Sequence, residues 1–465
     1  MTNIINPTID LFLYDLRNSL GDDQKDIEEK RQYFYQKFDE TVQEKLKRDG
    51  KDQNQKHNLE VEYIPLLESN YAPLEPDTPK ENGYYYPVRL GDSYGLLLEV
   101  AEFTASDEKK PEFFAELREK IQQKLGENTA TLGCTWMLST YLSNSSETTS
   151  EEIEKIAKDC YKAIFPNKEK IEFDNEGAFI GATIFEYSDS SFKEEVVKLG
   201  DKKKSTFVQS QHIIIAIYPD KETFHKLGEL YTDWMRLLYY HHKIIWAYGQ
   251  SRILKNRVKE MFGQIQTITE SIEEKITEEN VKVNRLQKIG NILSQVQVII
   301  NQCTENLNNL KFQQVTIQIN LNNYDKRLQT LTNKATKKVV EHPTKIDFLE
   351  DFSQLVKEKY LLQIKKDLES LELGLRLLED NINAIRSQTE IEKVKSDHDF
   401  KELIAVVGTG VAVASLTGDK ATAECKSMFG DQFFLCQSTL VYHLILVLFV
   451  SLLTWLLRKY ILKRS

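Results

Sequence analysis

The sequence predicts an α+β protein with an N-terminal α/β domain, a long helical stalk region and two C-terminal transmembrane helices. Three observations carry that expectation. Short runs rich in aromatic and β-branched residues alternate with amphipathic helical stretches over the first 218 positions. Beyond position 220, apolar residues recur at three- and four-residue intervals, the period of a helix with one buried face. Near the end, Leu440 to Leu457 form an apolar run broken only by Tyr442, His443, Ser451, Thr454 and Trp455.

Composition sets the frame. The chain has 465 residues, 41% hydrophobic and 28% charged, which suits two or three folded units with a sizeable core. Its formal net charge of -10, with no basic stripe interleaved with aromatics, argues against nucleic acid as a partner. The opening MTNIINPTIDLFLYDLRNSL lacks the basic and apolar regions of a secretory signal, so the N-terminal bulk is expected in the cytoplasm. The cysteines are Cys134, Cys160, Cys303, Cys425 and Cys436; none forms a CxxC pair, and no histidine cluster has zinc-site spacing.

Residues 1–219 read as the cytoplasmic α/β domain. Its strand candidates are GYYYPVRL, YGLLLEVAEFT, TATLGCTWMLSTYL, GAFIGATIFEYS and QSQHIIIAIYP, separated in places by helical PEFFAELREKIQQKL and EEIEKIAKDCYKAIF. Asp22 to Lys51 reads as one exposed amphipathic helix ending in the loop RDGKDQNQKHN. Tyr84, Tyr85 and Tyr86 before Pro87 read as strand residues. Residues 220–340 are the helical region, with a stripe through Phe224, Leu227, Leu230, Tyr231, Trp234, Leu238, Ile245 and Tyr248. Within it VTIQINL alternates like a strand, but its neighbours favour helix. His241 and His242 are adjacent on a helix and point about 100° apart, so they read as packing residues and not as one metal site.

Residues 341–402 read as a stalk helix opening near Pro343. Leu361, Ile364, Leu368, Leu371, Leu375, Leu378, Ile382 and Ile385 alternate three- and four-residue steps, a heptad seam. One helix from 345 to 417 would be about 110 Å long at 1.5 Å per residue. The apolar Leu440–Leu457 run, roughly 27 Å as helix, matches a bilayer's hydrocarbon thickness, with Tyr442 and Trp455 near its ends. It places the second transmembrane helix at 439–458, ahead of a basic tail at 459–465. A single span would put that tail outside, against the positive-inside rule. A first span at 403–417, within LIAVVGTGVAVASLTGDK, removes the conflict and places both termini in the cytoplasm. Its small residues at three- and four-residue intervals suit close helix packing, whereas the Gly-Lys-Ser/Thr of a phosphate loop is missing. Cys425 and Cys436 then fall in an outer loop, 418–438, where an oxidising compartment would let them pair.

This order resembles the CorA-type magnesium transporter superfamily. The residues that carry the likeness are FLEDFSQLVKEKYLLQIKKDLESLELGLRLLEDNINAIRSQTEIEKV, the segment ELIAVVGTGVAVASLTGDK and the end LLTWLLRKYILKRS. The resemblance implies a homopentamer, a stalk continuing into a pore-lining first span, and a divalent cation such as magnesium as cargo. The family's Gly-Met-Asn is absent: Ser415, Leu416, Thr417, Gly418 and Asp419 stand there, so no ion-selecting residue carries over. If the first span lines a pore, Ala405, Thr409, Ala412, Leu416 and Asp419 form one stripe, with Asp419 ringing the outer mouth. Asp397 and Asp399, flanking His398, are candidates for an inner cation site. No resident cofactor or metal ligand set is identified. With no Ser-His-Asp, GxSxG, HExxH or kinase signature, no enzyme is expected. The expectation is a homo-oligomeric, multi-pass cation channel or transporter gated by an ion or an unknown ligand of the cytoplasmic domain. A membrane-anchored coiled-coil scaffold, or a membrane-disrupting effector, is the alternative.

Overall fold

The computed structural model describes residues 3–392, apart from 20, 56–62, 75–81, 102–107, 145–147, 168–170, 200–201, 278–281 and 339–343. It is a mixed α+β structure: an N-terminal sheet with helices, followed by long helices. Two compact units divide it. One comprises Met1–Gly249 with Thr316–Glu358; the other comprises Gln250–Val315 with the chain from Lys359 onward.

The first unit is built on one sheet. Its strands are β1 (Ile4–Leu16), β2 (Tyr63–Pro65), β3 (Ala72–Pro73), β4 (Gly83–Leu90), β5 (Ser93–Ala101), β6 (Gly133–Leu142), β7 (Asn175–Phe179), β8 (Ala182–Leu199) and β9 (Lys202–Tyr218). They run in the order β2-β4-β5-β1-β6-β9-β8-β7, with β3 also on β4. Every pairing is antiparallel except β6 with β9, where Trp136 lies opposite Ile213 and Tyr141 opposite Tyr218. GAFIGATIFEYS, which reads as one strand, is the hairpin of β7 and β8, turning at Ile180 and Gly181 with φ of 43° and 89°.

β1 sorts its side chains by the two-residue period of a strand. Ile9, Leu11 and Leu13 enter a core with Phe34, Leu117, Ile121, Ala157, Cys160 and Tyr161. That face is covered by α1 (Gln24–Tyr35), α2 (Glu40–Gln55), α3 (Phe114–Leu125) and α4 (Ser150–Ile164). Leu117 and Ile121, at 0% exposure, each stabilise it by roughly 1.5–3 kcal/mol. Capping boxes open α1 at Asp23 with Asp26 and α4 at Thr149 with Glu152. The single exposed helix expected over Asp22 to Lys51 is therefore two helices, and Phe34, Tyr35, Phe38, Val42 and Leu46 are core.

The opposite face of β1 presents Asp10, Phe12 and Tyr14. It meets the first half of α6 (Tyr231–Thr277), which follows the short α5 (Lys221–Lys226). Phe12 packs edge-on to Tyr231, and the Tyr14 hydroxyl donates to the Met235 carbonyl at 2.8 Å. Part of α7 (Lys282–Lys338) and α8 (Asp347–Leu355) complete this side: Tyr324 donates to the Leu349 carbonyl at 3.0 Å. VTIQINL lies inside α7 and is helical.

The second unit brings together the later half of α6, the earlier part of α7 and α9 (Leu362–Glu392). α8 runs into α9 through a π-helical turn, Val356–Leu361. The heptad residues Ile364, Leu368, Leu371, Leu375, Leu378 and Ile382 are buried, as are Leu254, Val258 and Phe262 of α6 and Val296, Ile300, Leu307 and Leu310 of α7. Arg252 and Lys255 meet Asp367 at 2.6 and 2.7 Å, and Lys311 meets Glu372 at 2.9 Å. The seam is thus filled by helices of its own chain. Among the described residues, no helix is long and apolar enough to cross a membrane.

Candidate functional site

The residues singled out from sequence as pore or ion-site candidates — Asp397, Asp399, Ala405, Thr409, Ala412, Leu416 and Asp419 — lie outside the described residues, as do Cys425 and Cys436. Within the described chain, the densest unusual chemistry is a polar cluster between the sheet and α6. Four elements build it. Thr135 points from β6, His212 from β9, Glu186 from β8, and His241 and His242 from α6. Thr135 and His242 are fully buried, His212 is 1% exposed, His241 3% and Glu186 6%.

The hydrogen bonds form a directed chain. Thr135 Oγ1 lies 2.7 Å from His212 Nδ1 and 2.7 Å from His242 Nε2, and His212 Nε2 lies 3.0 Å from Glu186 Oε1. Asn175 Nδ2 donates to the other Glu186 oxygen at 2.9 Å. With one proton on His212, the Glu186 carboxylate takes it on Nε2, and Nδ1 accepts from the Thr135 hydroxyl. Thr135 must then accept from His242 Nε2–H. That assignment leaves His242 Nδ1 without a hydrogen, a buried acceptor that has no donor among the described residues. Burial, with His212 beside it, holds His242 well below the usual imidazole range. Burial acts likewise on His241, reinforced by His212 and His242. Both are neutral at pH 7.

Packing fixes the rings. His241 stacks on His212 with centroids 4.4 Å apart and planes 12° off parallel, and Phe352 of α8 covers its surroundings at 4.2 Å. Gly133 makes room for His242: its φ is +141°, and a Cβ there would sit 2.6 Å from His242 Nδ1. The Glu-His-Thr order is that of an acid, a base and a hydroxyl. A hydroxyl with no exposed surface meets no substrate in this conformation, so the chain's physical effect is to tie three strands to one helix. Among the described residues, no group of three or more His, Cys, Asp or Glu side chains is arranged to hold a metal ion.

Sequence reasoning placed His241 and His242 in the packed interior and did not connect them with Thr135, His212 or Glu186. Signals were present. His212 heads HIIIAIY, and Glu186 shares strand parity with Ile184, so each is a polar residue on an apolar face. A second device at the same helix is Lys243, which reaches Asp92 at 2.8 Å while the Tyr239 hydroxyl donates to the same carboxylate at 3.0 Å. No protein-family model matches the chain, and no curated protein matches it.

Proposed function

We propose that this chain is a homo-oligomeric membrane protein of CorA-like architecture, in which the N-terminal α+β unit receives a signal and biases a cation pore lined by residues 403–417, with 439–458 as the second span around it. The observation that carries this reading is the order along the chain: a sheet unit, a bundle of long helices, and then two apolar segments with a basic end. The buried Thr135–His212–His242 chain supports a unit whose α6 has one well-defined seat on the sheet. A seat of that kind is what a two-state signal requires. The cargo under this reading is a cation, with magnesium suggested by the architecture alone.

One observation bears on the rival, a non-transporting membrane-anchored coiled-coil scaffold, and removes the surface from which it was read. The heptad seam from Ile364 to Ile382 is buried against α6 and α7 of the same chain. A coiled coil between copies therefore needs another surface. The deciding experiment labels Cys425 and Cys436 with a membrane-impermeant maleimide on sealed cells. Cys134, Cys160 and Cys303, all free thiols, are first replaced by alanine. Labelling in intact cells, with a tag after Ser465 protected, followed by cation flux in liposomes that Thr409→Val or Asp419→Asn reduces, is the expected result. Labelling only after lysis removes the pore and leaves the anchored scaffold.

A further inference from the structure

A second polar group lies on the same face of the sheet, under the first turn of α6. Asp10 of β1 and Glu99 of β5 are direct register partners, so their carboxyls leave the sheet side by side and meet at hydrogen-bonding range. The Tyr231 hydroxyl donates to Asp10 Oδ2 at 2.9 Å. Tyr84 of β4, the register partner of Glu99 on its other side, bonds the Glu99 carboxyl. Asp10 is 0% exposed, yet its Oδ1 has no donor among the described residues. Tyr218 of β9 is also 0% exposed; its hydroxyl has no partner there either, and Asp10 is the charge that acts on it.

Among the described residues, no cation acts on Asp10. Among the described residues, the titratable groups that act on Asp10, or on which Asp10 acts, are Glu99 of β5, Tyr84 of β4, Tyr218 of β9 and Tyr231 of α6. On β6 the residue opposite Asp10 is Met137. Asp233, two positions along α6 from Tyr231, is neutralised by Lys334 at 2.8 Å. Two facing carboxylates, Asp10 fully buried and Glu99 half-buried, repel, and a single proton between them turns that repulsion into a hydrogen bond. It also gives the orphan Oδ1 a role, as an oxygen free to carry the proton.

We infer that Asp10 and Glu99 form one internal proton-binding site, framed by Tyr84, Tyr218 and Tyr231, that seats the start of α6 on the sheet only while the proton is held. On release, the acid–carboxylate pair becomes two carboxylates and the proton passes to solvent. Burial first, then the Glu99 carboxyl, hold Asp10 well above the ordinary carboxylate range. The folded chain therefore binds a proton that the unfolded chain has lost above about pH 4. Stability from this site is full below that pH and is lost as pH rises toward the folded value.

This inference stands on the sheet unit alone and is independent of the membrane reading. The test is thermal unfolding of the full chain in detergent from about pH 5 to about pH 9, comparing wild type with Asp10→Asn and Glu99→Gln. An amide donates where the protonated carboxyl did, so each variant is a fixed mimic of the protonated pair. The wild-type midpoint is expected to fall by several degrees on the alkaline side. Either variant should lack that fall and overtake wild type there. A carboxylic-acid C=O band in the infrared at neutral pH, lost in Asp10→Asn, is the second readout. Variants that keep the wild-type alkaline slope, or a wild type without that band, overturn the site. If sodium, potassium, magnesium or calcium chloride at matched ionic strength raises only the wild-type midpoint at high pH, the pair binds a metal cation and the proton assignment falls.

Discussion

At Gly133 the backbone and a side chain from another element compete for one small volume. A Cβ there would sit 2.6 Å from His242 Nδ1 on a backbone with φ of +141°, so Gly133→Ala must displace the ring or the strand. We expect a loss of about 2–3 kcal/mol by denaturant titration, larger than an exposed glycine substitution gives. Thr135→Val removes the hydroxyl that joins two imidazoles and leaves an acceptor on His212 and a donor on His242 unanswered. That should cost about 2–4 kcal/mol, with Thr135→Ser recovering most of it. A valine variant as stable as wild type would show that the chain contributes nothing to seating α6. His242 was visible in the sequence as a buried residue; the partners that give it a role come from β6 and β9, and no local pattern announces a contact 107 positions away.

At the scale of elements, the strands that read most clearly were those with uninterrupted runs: GYYYPVRL is β4, residue for residue. The central strand was the one that hid. β1 carries Asp10 and Asp15 on its way through the core, and Pro7 near its start, where proline argues against a central strand. The sheet accommodates the proline with a register shift between Ile5 and Thr8 and a φ of 49° at Asn6. Asp15 is tolerated because Lys37, from the chain between α1 and α2, meets it at 3.0 Å with both side chains buried. Tertiary pairing thus overrides local composition, and it also converts the expected exposed helix into a core element. Breaking that pair on one side leaves an uncompensated buried charge. Lys37→Met alone should cost about 3–5 kcal/mol, and Lys37→Met with Asp15→Leu should recover most of the loss. Additive losses in that double-mutant cycle would mean the two charges are not a unit.

For the molecule as a whole, the two titratable groups beneath α6 act at opposite ends of the pH scale. The acid side belongs to the histidines. Burial lowers His241 and His242 well below the usual value, so the unfolded chain binds protons that the folded chain refuses. Their contribution is complete above about pH 6.5 and is lost as pH falls below it, because protons then favour the unfolded state. Two such groups set a limiting slope of about 2.7 kcal/mol per pH unit, and one sets about 1.4. His242→Gln keeps an N–H that reaches Thr135 but cannot titrate. It should reduce the acid-side slope of unfolding free energy by about half while leaving the alkaline side as in wild type. Asp10→Asn should do the reverse. The mixed outcome, with His242→Gln flattening both sides, would show that α6 lifts as one piece and that the two clusters report a single opening. Separate effects would show two latches on one helix, each opened by a different change in pH.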